Sequence, residues 1–289
     1  MKSQIRLPEE YKALLHSKRD LAEVGFIISE KKHIHTVCSE AKCPNIGKCF
    51  KSGTATFLVM GSKCTRMCAF CAIEKSLPDS LDYREADEVI EAIGMMNLDY
   101  TVITSVTRDD LEDGGASYFD FLTNKIKGRY PSIKIETLVP DFRQNLKNIS
   151  KLSLENIDVF NHNLETVKLL YPLVRFKADY DFSLSMLREA KRMGFITKTG
   201  IMVGLGETKE ELELLFKDAS AAAVDIITIG QYFMPSKNHF QVKKYYLTEE
   251  FEELEYLAVK SGIKKAVSGV FVRSSYNAYE TYKEVKNDE

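Results

Sequence analysis

The cysteines of this chain are few and gathered in one place. The sequence of 289 residues contains six, all within one short window: Cys38, Cys43, Cys49, Cys64, Cys68 and Cys71. Three disulfides would need an oxidising compartment and a small domain with little core, and neither condition suits this chain. Clustered cysteines in a reducing compartment indicate metal or iron–sulfur ligation instead.

The downstream cysteines have the spacing Cys64-x3-Cys68-x2-Cys71. Three thiolates on one tight loop can hold three corners of a cubane iron–sulfur cluster and leave the fourth iron open to a substrate. Structural zinc is the alternative, but zinc usually takes four closed ligands, and no fourth Cys or His lies nearby. The spacing therefore favours a 4Fe–4S cluster at this triplet.

The upstream cysteines have the spacing Cys38-x4-Cys43-x5-Cys49. Zinc completed by His33 or His35 fits this group as well, because Cys and His are both zinc ligands. Spacing alone leaves the metal open here.

Alternating strand and helix patterns must position these cysteines. Apolar stripes at helical spacing occur throughout, and Thr208 with Glu211 predicts a capping box. The alternation predicts an α/β fold, either a partial (β/α)6 barrel of the TIM type or an open doubly wound sheet. Six β-branched or apolar runs predict the buried parallel strands, at residues 56–60, 100–106, 133–139, 157–161, 199–205 and 225–232.

The strand pattern also divides the chain. We expect a barrel of residues 54–233, an N-terminal extension of residues 1–53 with the upstream cysteines, and a C-terminal extension of residues 234–289. In parallel α/β folds the functional residues lie at the carboxyl ends of the strands. Cys64 comes directly after the first predicted strand, which predicts that its triplet lies at that edge.

Charge and hydropathy exclude several classes of protein. The net charge of −2 lacks the basic excess of a nucleic-acid binder. No apolar run approaches the roughly 18 residues of a membrane span. The first residues lack the apolar core of a secretory signal. We therefore expect a cytoplasmic protein that binds neither nucleic acid nor membrane.

The triplet after the first strand resembles the signature of the radical S-adenosylmethionine (radical SAM) superfamily. The upstream triplet in its context CPNIGKC, together with Arg273-Ser274-Ser275-Tyr276, resembles the lipoyl synthase family specifically. The resemblance covers about residues 30 to 280 and includes Asp113-Gly-Gly and Pro140-Asp-Phe-Arg143. There are two departures, because Gln144 stands where the family usually has Gly, and Ser62-Lys63 stands where it has Asp-Thr.

The resemblance implies two 4Fe–4S clusters and SAM as cofactors. Cys64, Cys68 and Cys71 would ligate the radical SAM cluster. The upstream cysteines with Ser274 would ligate an auxiliary cluster that donates sulfur. Two SAM molecules would each supply a 5′-deoxyadenosyl radical, and two sulfur atoms would enter carbons 6 and 8 of a protein-bound octanoyl-lysine.

The same resemblance implies macromolecular partners. These are octanoylated lipoyl carrier domains (2-oxoacid dehydrogenase E2 subunits and the glycine cleavage H protein), a reductant such as ferredoxin or flavodoxin, and an iron–sulfur cluster carrier. Two other interpretations stay open. One is a different radical SAM enzyme with an auxiliary cluster, and the other is a non-catalytic metal-binding scaffold.

Three residues are candidates for holding SAM. Asn163 and Glu165 resemble a pattern that holds the SAM ribose in biotin synthase, and amide and carboxylate groups suit ribose hydroxyls. A turn-capping pair is the alternative for these two residues. Gly204 resembles part of the superfamily's adenine-backing strand, where glycine permits close approach of a ligand. An ordinary strand-to-helix turn explains Gly204 equally well.

Several charged side chains are further candidates. Arg175 can pair with the SAM carboxylate through a bidentate fork or form a surface ion pair. Arg273 adjoins Ser274 and is a candidate for gating the release of that ligand. Residues 108–110 are candidates for SAM or substrate binding, with an exposed charge run as the alternative. His162 is expected to be a packed histidine and not a base.

Overall fold

The described part of the chain contains the whole predicted barrel. In this computed structural model the described residues are Pro8, Glu9, Tyr11, the backbone of His35 and Thr36, and residues 53–287. The upstream cysteines Cys38, Cys43 and Cys49 lie outside the described residues. The Cys64 triplet and Ser274 lie within them.

Strands form one large sheet and one small one among the described residues. The large sheet has eight strands in the order β1–β2–β5–β6–β7–β8–β9–β10. Its edge strand β1 is antiparallel to β2, and all other pairs are parallel. The strands are β1 (His35–Thr36), β2 (Thr54–Val59), β3 (Lys63–Cys64), β4 (Glu74–Lys75), β5 (Tyr100–Ser105), β6 (Lys134–Leu138), β7 (Val159–Asn161), β8 (Ile196–Val203), β9 (Ile226–Gln231) and β10 (Lys265–Gly269).

Helices connect the parallel strands. Within residues 53–287, three short 3-10 segments supplement them, at Phe142–Gln144, Leu146–Lys151 and Lys168–Leu170. No helix in the described part of the chain has the length and apolar character that crossing a membrane requires. The helices between residues 53 and 287 are α1 (Arg84–Met95), α2 (Ala116–Arg129), α3 (Tyr171–Val174), α4 (Tyr180–Arg192), α5 (Lys209–Ala221), α6 (Thr248–Lys260) and α7 (Ala278–Asn287).

Alternate residues of each strand serve opposite faces of the sheet. On the outer face, Phe57 and Ile103 join one apolar cluster with α1 and α2, while Ile227 and Ile229 join a second with α5 and α6. Strands buried on both faces explain the continuous apolar runs that predicted them. The capping box of α5 is present, since Thr208 and Glu211 exchange the expected hydrogen bonds.

The inner face of the sheet is closed at its amino-terminal end by α7. Tyr282 and Val285 of this helix pack with Tyr100, Val159 and other first residues of the strands. A buried ion pair lies farther along this face, where the Lys198 Nζ is 2.9 Å from the Glu136 Oε2. Among the described residues, the inner face is therefore left open to a ligand at the opposite end, where the carboxyl ends of the strands lie.

The predicted fold class is confirmed, with one extra unit. All six predicted strands are present, and within the described residues β1 and β10 do not pair, so the barrel stays open. The parallel strand β10, reached through α6, was not predicted, because its five residues KAVSG include small Ser and Gly and lack a long β-branched run. It continues the repeat past residue 233, where the sequence analysis ended it.

Candidate active site at the carboxyl ends of the strands

The Cys64 triplet lies where the parallel topology predicted it. Cys64, Cys68 and Cys71 line one pocket, together with residues that end or follow β2, β5 and β6. Its apolar walls include Leu58, Leu138, Val139, Pro140, Ile73 and Phe70. All three thiols are free and partly buried.

The environment of these thiols fits ligation by iron. The Cys64 Sγ accepts backbone N–H groups of Arg66 and Thr107, each at 3.4 Å. Burial raises the pKa of Cys68 to about 11, and the pKa of Cys71 also rises through burial and the nearby Cys64. Thiolates so placed need neighbouring positive charge, which bound iron supplies, because a coordinating thiol is deprotonated outright.

The cysteines are spread around the pocket wall. Among the residues the structure describes, no three Cys, His, Asp or Glu side chains are grouped so that they could hold a single metal ion. The three thiols instead face a shared space with Asn163, Glu165 and Arg175.

The ends of the cysteine loop are held by Arg108. Its guanidinium donates to the Met60 carbonyl at 3.1 Å and the Asp79 carbonyl at 2.9 Å, and it pairs with Asp110 at 2.8 Å. Arg108 is buried, which excludes the alternative of an exposed charge run for this residue. Its contacts show it closing the loop that carries Cys64.

Asn163, Glu165 and Arg175 are brought together beside the cysteines. The Asn163 Nδ2 donates to the Glu165 Oε1 at 3.0 Å, and the Arg175 Nη1 donates to the Asn163 carbonyl at 2.9 Å. Glu165 adopts a left-handed conformation with φ of 67°, unusual outside glycine, and its backbone pairs with Gly200 and Met202 of β8. Burial raises the pKa of Glu165, and the Arg175 charge opposes that rise.

Arg175 keeps donors available for a ligand. All of its hydrogen bonds to described residues come from Nη1, to Asn163, Tyr171 and Ser183. Its charge lowers the pKa of Cys68 against the effect of burial. A guanidinium in the pocket wall whose Nε and Nη2 groups make no hydrogen bond to described residues suits a carboxylate ligand.

Ser274 joins this group from the other end of the chain. Its hydroxyl lies 2.8 Å from the Asn163 Nδ2 and 3.0 Å from the Asn163 Oδ1. Gly200 permits this approach, since a Cβ there would stand 2.8 Å from the Asn163 Oδ1 and 2.9 Å from the Ser274 Oγ. The guanidinium of the neighbouring Arg273 lies 5.5 Å from the centre of the Phe233 ring.

Gly204 does not line this pocket. A Cβ there would meet the Gln231 Nε2 at 2.3 Å and the Lys244 carbonyl at 2.4 Å. The backbone N–H of Gly204 donates to the Glu207 carboxylate at 2.6 Å, which organises the turn before α5. The geometry therefore matches the strand-to-helix turn, and close packing accounts for this glycine.

His162 is a packed histidine, as the sequence analysis expected. Its ring is fully buried, and its Nδ1 lies 2.9 Å from the Val139 carbonyl. Burial lowers the pKa of His162 to about 3, so the ring is neutral at physiological pH. Because the ring is enclosed and its pKa is low, it is a poor proton acceptor.

The two departures from the family pattern have different surroundings. The Lys63 ammonium pairs with Asp79 at 2.9 Å, and the Asp79 side chain is largely exposed. Lys63 thus points away from the pocket. Gln144 ends a turn in which three successive residues have positive φ, and its φ is 54°. A glycine would adopt that backbone more easily. The Gln144 Nε2 donates to the Lys177 carbonyl at 2.9 Å.

One pocket residue was missed by the sequence analysis. Arg66 lies between the first two cysteines of the triplet and lines the pocket with them. Its position inside the C-x3-C spacing was the available signal.

Comparisons with known proteins agree with this geometry. The model of the radical SAM superfamily matches residues 58–219. The lipoyl synthase of Caldicellulosiruptor saccharolyticus is 46% identical over 97% of this chain and 99% of its own length. The lipoyl synthase of Syntrophotalea carbinolica is 48% identical over 91% of this chain and 87% of its own length.

Solved structures show a similar fold at low identity. A methylornithine synthase superposes with a TM-score of 0.58 at 14% identity, covering 88% of this chain and 83% of the other. A maturase of the FeFe-hydrogenase superposes with a TM-score of 0.55 at 15% identity, covering 96% and 72%. These likenesses concern the fold alone.

Proposed function

The chain belongs to the lipoyl synthase family of the radical SAM superfamily, and we propose that it inserts two sulfur atoms into a protein-bound octanoyl chain at carbons 6 and 8. The observation that carries the proposal is the contact between Ser274 and Asn163. It joins the C-terminal R-S-S-Y motif to the pocket of the downstream cysteines, over 111 positions of sequence.

Cys64, Cys68 and Cys71 would hold the 4Fe–4S cluster that the superfamily implies. With SAM, this cluster would supply radical chemistry able to abstract hydrogen from an unactivated carbon. The Asn163 amide would donate to and accept from the ribose hydroxyls, and the Glu165 carboxylate would accept from them. The remaining N–H groups of Arg175 would bind the SAM carboxylate.

The pocket walls would protect the reaction. Leu58, Leu138 and Ile73 are apolar residues of this wall. Such a wall excludes water and hydrogen donors that would quench a carbon radical. It also suits an octanoyl chain, which offers only CH₂ groups to its surroundings.

We assign the auxiliary cluster to the remaining ligand set. Cys38, Cys43 and Cys49 would supply three thiolates, and Ser274 would supply the fourth ligand. A serine oxygen is a hard ligand and binds iron of a sulfide cluster less firmly than a thiolate does. That weakness suits a cluster whose sulfides are given away. Ser274 lies beside Asn163, so this cluster would adjoin the SAM site.

The partners stay predictions of this proposal. They are an octanoylated lipoyl carrier domain as substrate, a one-electron donor such as ferredoxin or flavodoxin, and an iron–sulfur carrier that rebuilds the auxiliary cluster. Cytoplasmic location is likewise a prediction, resting on cysteines that must stay reduced.

An anaerobic single turnover tests the function. Reconstituted protein is mixed with SAM, dithionite and an octanoyl-lysyl peptide, and the peptide is followed by mass spectrometry. We expect a product with two sulfurs gained and two hydrogens lost, and no product from the Cys68→Ala variant. Unchanged peptide with 5′-deoxyadenosine still formed would indicate a different substrate. Absence of SAM cleavage in a protein containing zinc would indicate a metal-binding scaffold.

A further inference from the structure

Arg66 is buried in the middle of the cysteine loop, although the next residue, Met67, is 61% exposed. Every N–H group of the Arg66 guanidinium has a partner within the protein. Nη1 donates to Asp141 at 3.1 Å and to the Lys177 carbonyl at 2.9 Å. Nη2 donates to Asp109 at 2.8 Å and to Asp141 at 3.0 Å, and Nε donates to Asp109.

These five bonds exhaust the donors of an arginine side chain. Arg66 therefore has no N–H group left for SAM or substrate, although it lines the same pocket as Arg175. Arg175 differs, since its bonds to described residues use Nη1 alone. The two pocket arginines thus have separate roles, one able to bind a ligand and one bound entirely to the protein.

The partners of Arg66 come from three separate segments. Asp109 follows β5, Asp141 follows β6, and Lys177 follows α3. Thr65 adds to this attachment, because its hydroxyl donates to the Thr107 carbonyl at 2.9 Å. The loop between Cys64 and Cys68 is thereby fixed to the carboxyl ends of two strands.

The Lys177 carbonyl also connects Arg66 with this chain's departure from the family pattern. Gln144 donates to the same carbonyl at 2.9 Å. Lys177 itself has a positive φ of 72°, a conformation that needs support from its surroundings. Two side chains from different segments therefore hold one strained peptide beside the cysteine loop.

We propose that Arg66 is the positioning residue that sets the spacing of Cys64 and Cys68 for the radical SAM cluster. This inference rests on the proposed function, because it assumes that these cysteines bind a cluster. Arg66 would act through the loop, because its side-chain donors are all bound to the protein. Lysine cannot replace it, because three donors on a point charge cannot span two carboxylates and a carbonyl as a planar fork does.

The test compares Arg66→Gln with Lys63→Gln. Both variants remove one positive charge from the same loop, but the partner of Lys63 among the described residues is the largely exposed Asp79. Reconstituted proteins are exposed to an iron chelator without oxygen, and cluster loss is followed by absorbance. The EPR spectrum of the reduced cluster, with and without SAM, identifies which cluster is lost.

We expect the radical SAM cluster of Arg66→Gln to be lost about 10–100-fold faster, which matches the loss of metal affinity typical when groups that orient metal ligands are removed. Arg66→Lys should lie between this variant and the original protein. Lys63→Gln should stay within about twofold of the original protein, as exposed pairs contribute little. The SAM-dependent EPR signal of Arg66→Gln should broaden, which a general loss of stability would not produce.

Equal rates of cluster loss and an unchanged EPR signal in Arg66→Gln would overturn the proposal. If Arg66→Gln lacks native circular dichroism, Asp141→Asn is decisive, because it leaves Arg66 paired with Asp109. A loss rate for Asp141→Asn equal to that of Lys63→Gln would equally refute the positioning role. An original protein that binds no cluster would refute the proposed function instead, so the two failures are distinguishable.

Discussion

Gly200→Ala is the sharpest test of the site geometry. A Cβ at residue 200 would stand 2.8 Å from the Asn163 Oδ1, 2.8 Å from the Thr228 Oγ1 and 2.9 Å from the Ser274 Oγ. Overpacking of this kind costs about 1–3 kcal/mol. Gly200 does not have a positive φ, so alanine also restricts the unfolded chain and returns about 0.4–1 kcal/mol. We expect a net loss of about 1–2 kcal/mol in the free energy of unfolding.

The assay is urea unfolding of cluster-free protein, followed by circular dichroism. Gly128→Ala in α2 is the matched control, because a Cβ there meets no atom within 4 Å. It should stabilise the protein by about 0.5–1 kcal/mol, the gain of alanine over glycine inside a helix.

A double variant makes the test specific to Ser274. Ser274→Ala removes one of the three crowding atoms, so its combination with Gly200→Ala should be less destabilising than the sum of both. Contacting residues show coupling of about 0.5 kcal/mol or more. Additive effects, or a Gly200→Ala protein as stable as the original, would refute the convergence of Ser274 and Asn163 at this point.

Three further predictions concern the framework around the site. Lys198→Met should lower the free energy of unfolding by about 3–5 kcal/mol in urea titrations, because it leaves the fully buried Glu136 without its cation; Glu136→Gln added to it should restore part of the loss. Burial alone would raise the pKa of Asp225, but Lys191 and other donors hold it below its ordinary value. This depressed pKa gives stability that is present above pH of about 4 and lost as the pH falls through the folded pKa, so Asp225→Asn should be destabilising at pH 7 and much less so near pH 2, as measured by unfolding at both values. Tyr11 is fully buried, so Tyr11→Ala should lower the melting temperature with a loss of about 3–5 kcal/mol, whereas an unchanged melting temperature would show that the Tyr11 side chain does not pack on the barrel.

Elements of the fold could be predicted from the sequence wherever a local residue pattern determines the secondary structure. The β-branched runs predicted the strands, and parallel topology then placed Cys64 at the right edge without any knowledge of contacts. The 3-10 segment Leu146–Lys151 shows the limit, because its apolar spacing is equally typical of an α-helix. Spacing of side chains does not separate these two helices over two turns.

Contacts between distant segments could not be predicted in this way. The Ser274–Asn163 pair depends on how β8 and the C-terminal segment pack, and the reason for Gly200 lies in that packing. Gly204 also shows that a local pattern does not reveal contacts between distant segments. Its glycine pattern suggested a nucleotide, but the atoms that exclude a side chain belong to Gln231 and Lys244.

The helix α7, which closes the amino-terminal end of the barrel, limits how far Ser274 could move from the proposed auxiliary cluster. α7 begins at Ala278, four positions after Ser274, and Tyr282 secures it against Tyr100 at 6.0 Å between ring centres. In the proposed auxiliary site, Ser274 would therefore stay tethered on leaving iron, since four residues reach at most about 14 Å. Short tethers give effective concentrations of roughly millimolar order. Ser274 would recapture a newly delivered cluster as an intramolecular event, and the C-terminal segment would not need to refold between turnovers.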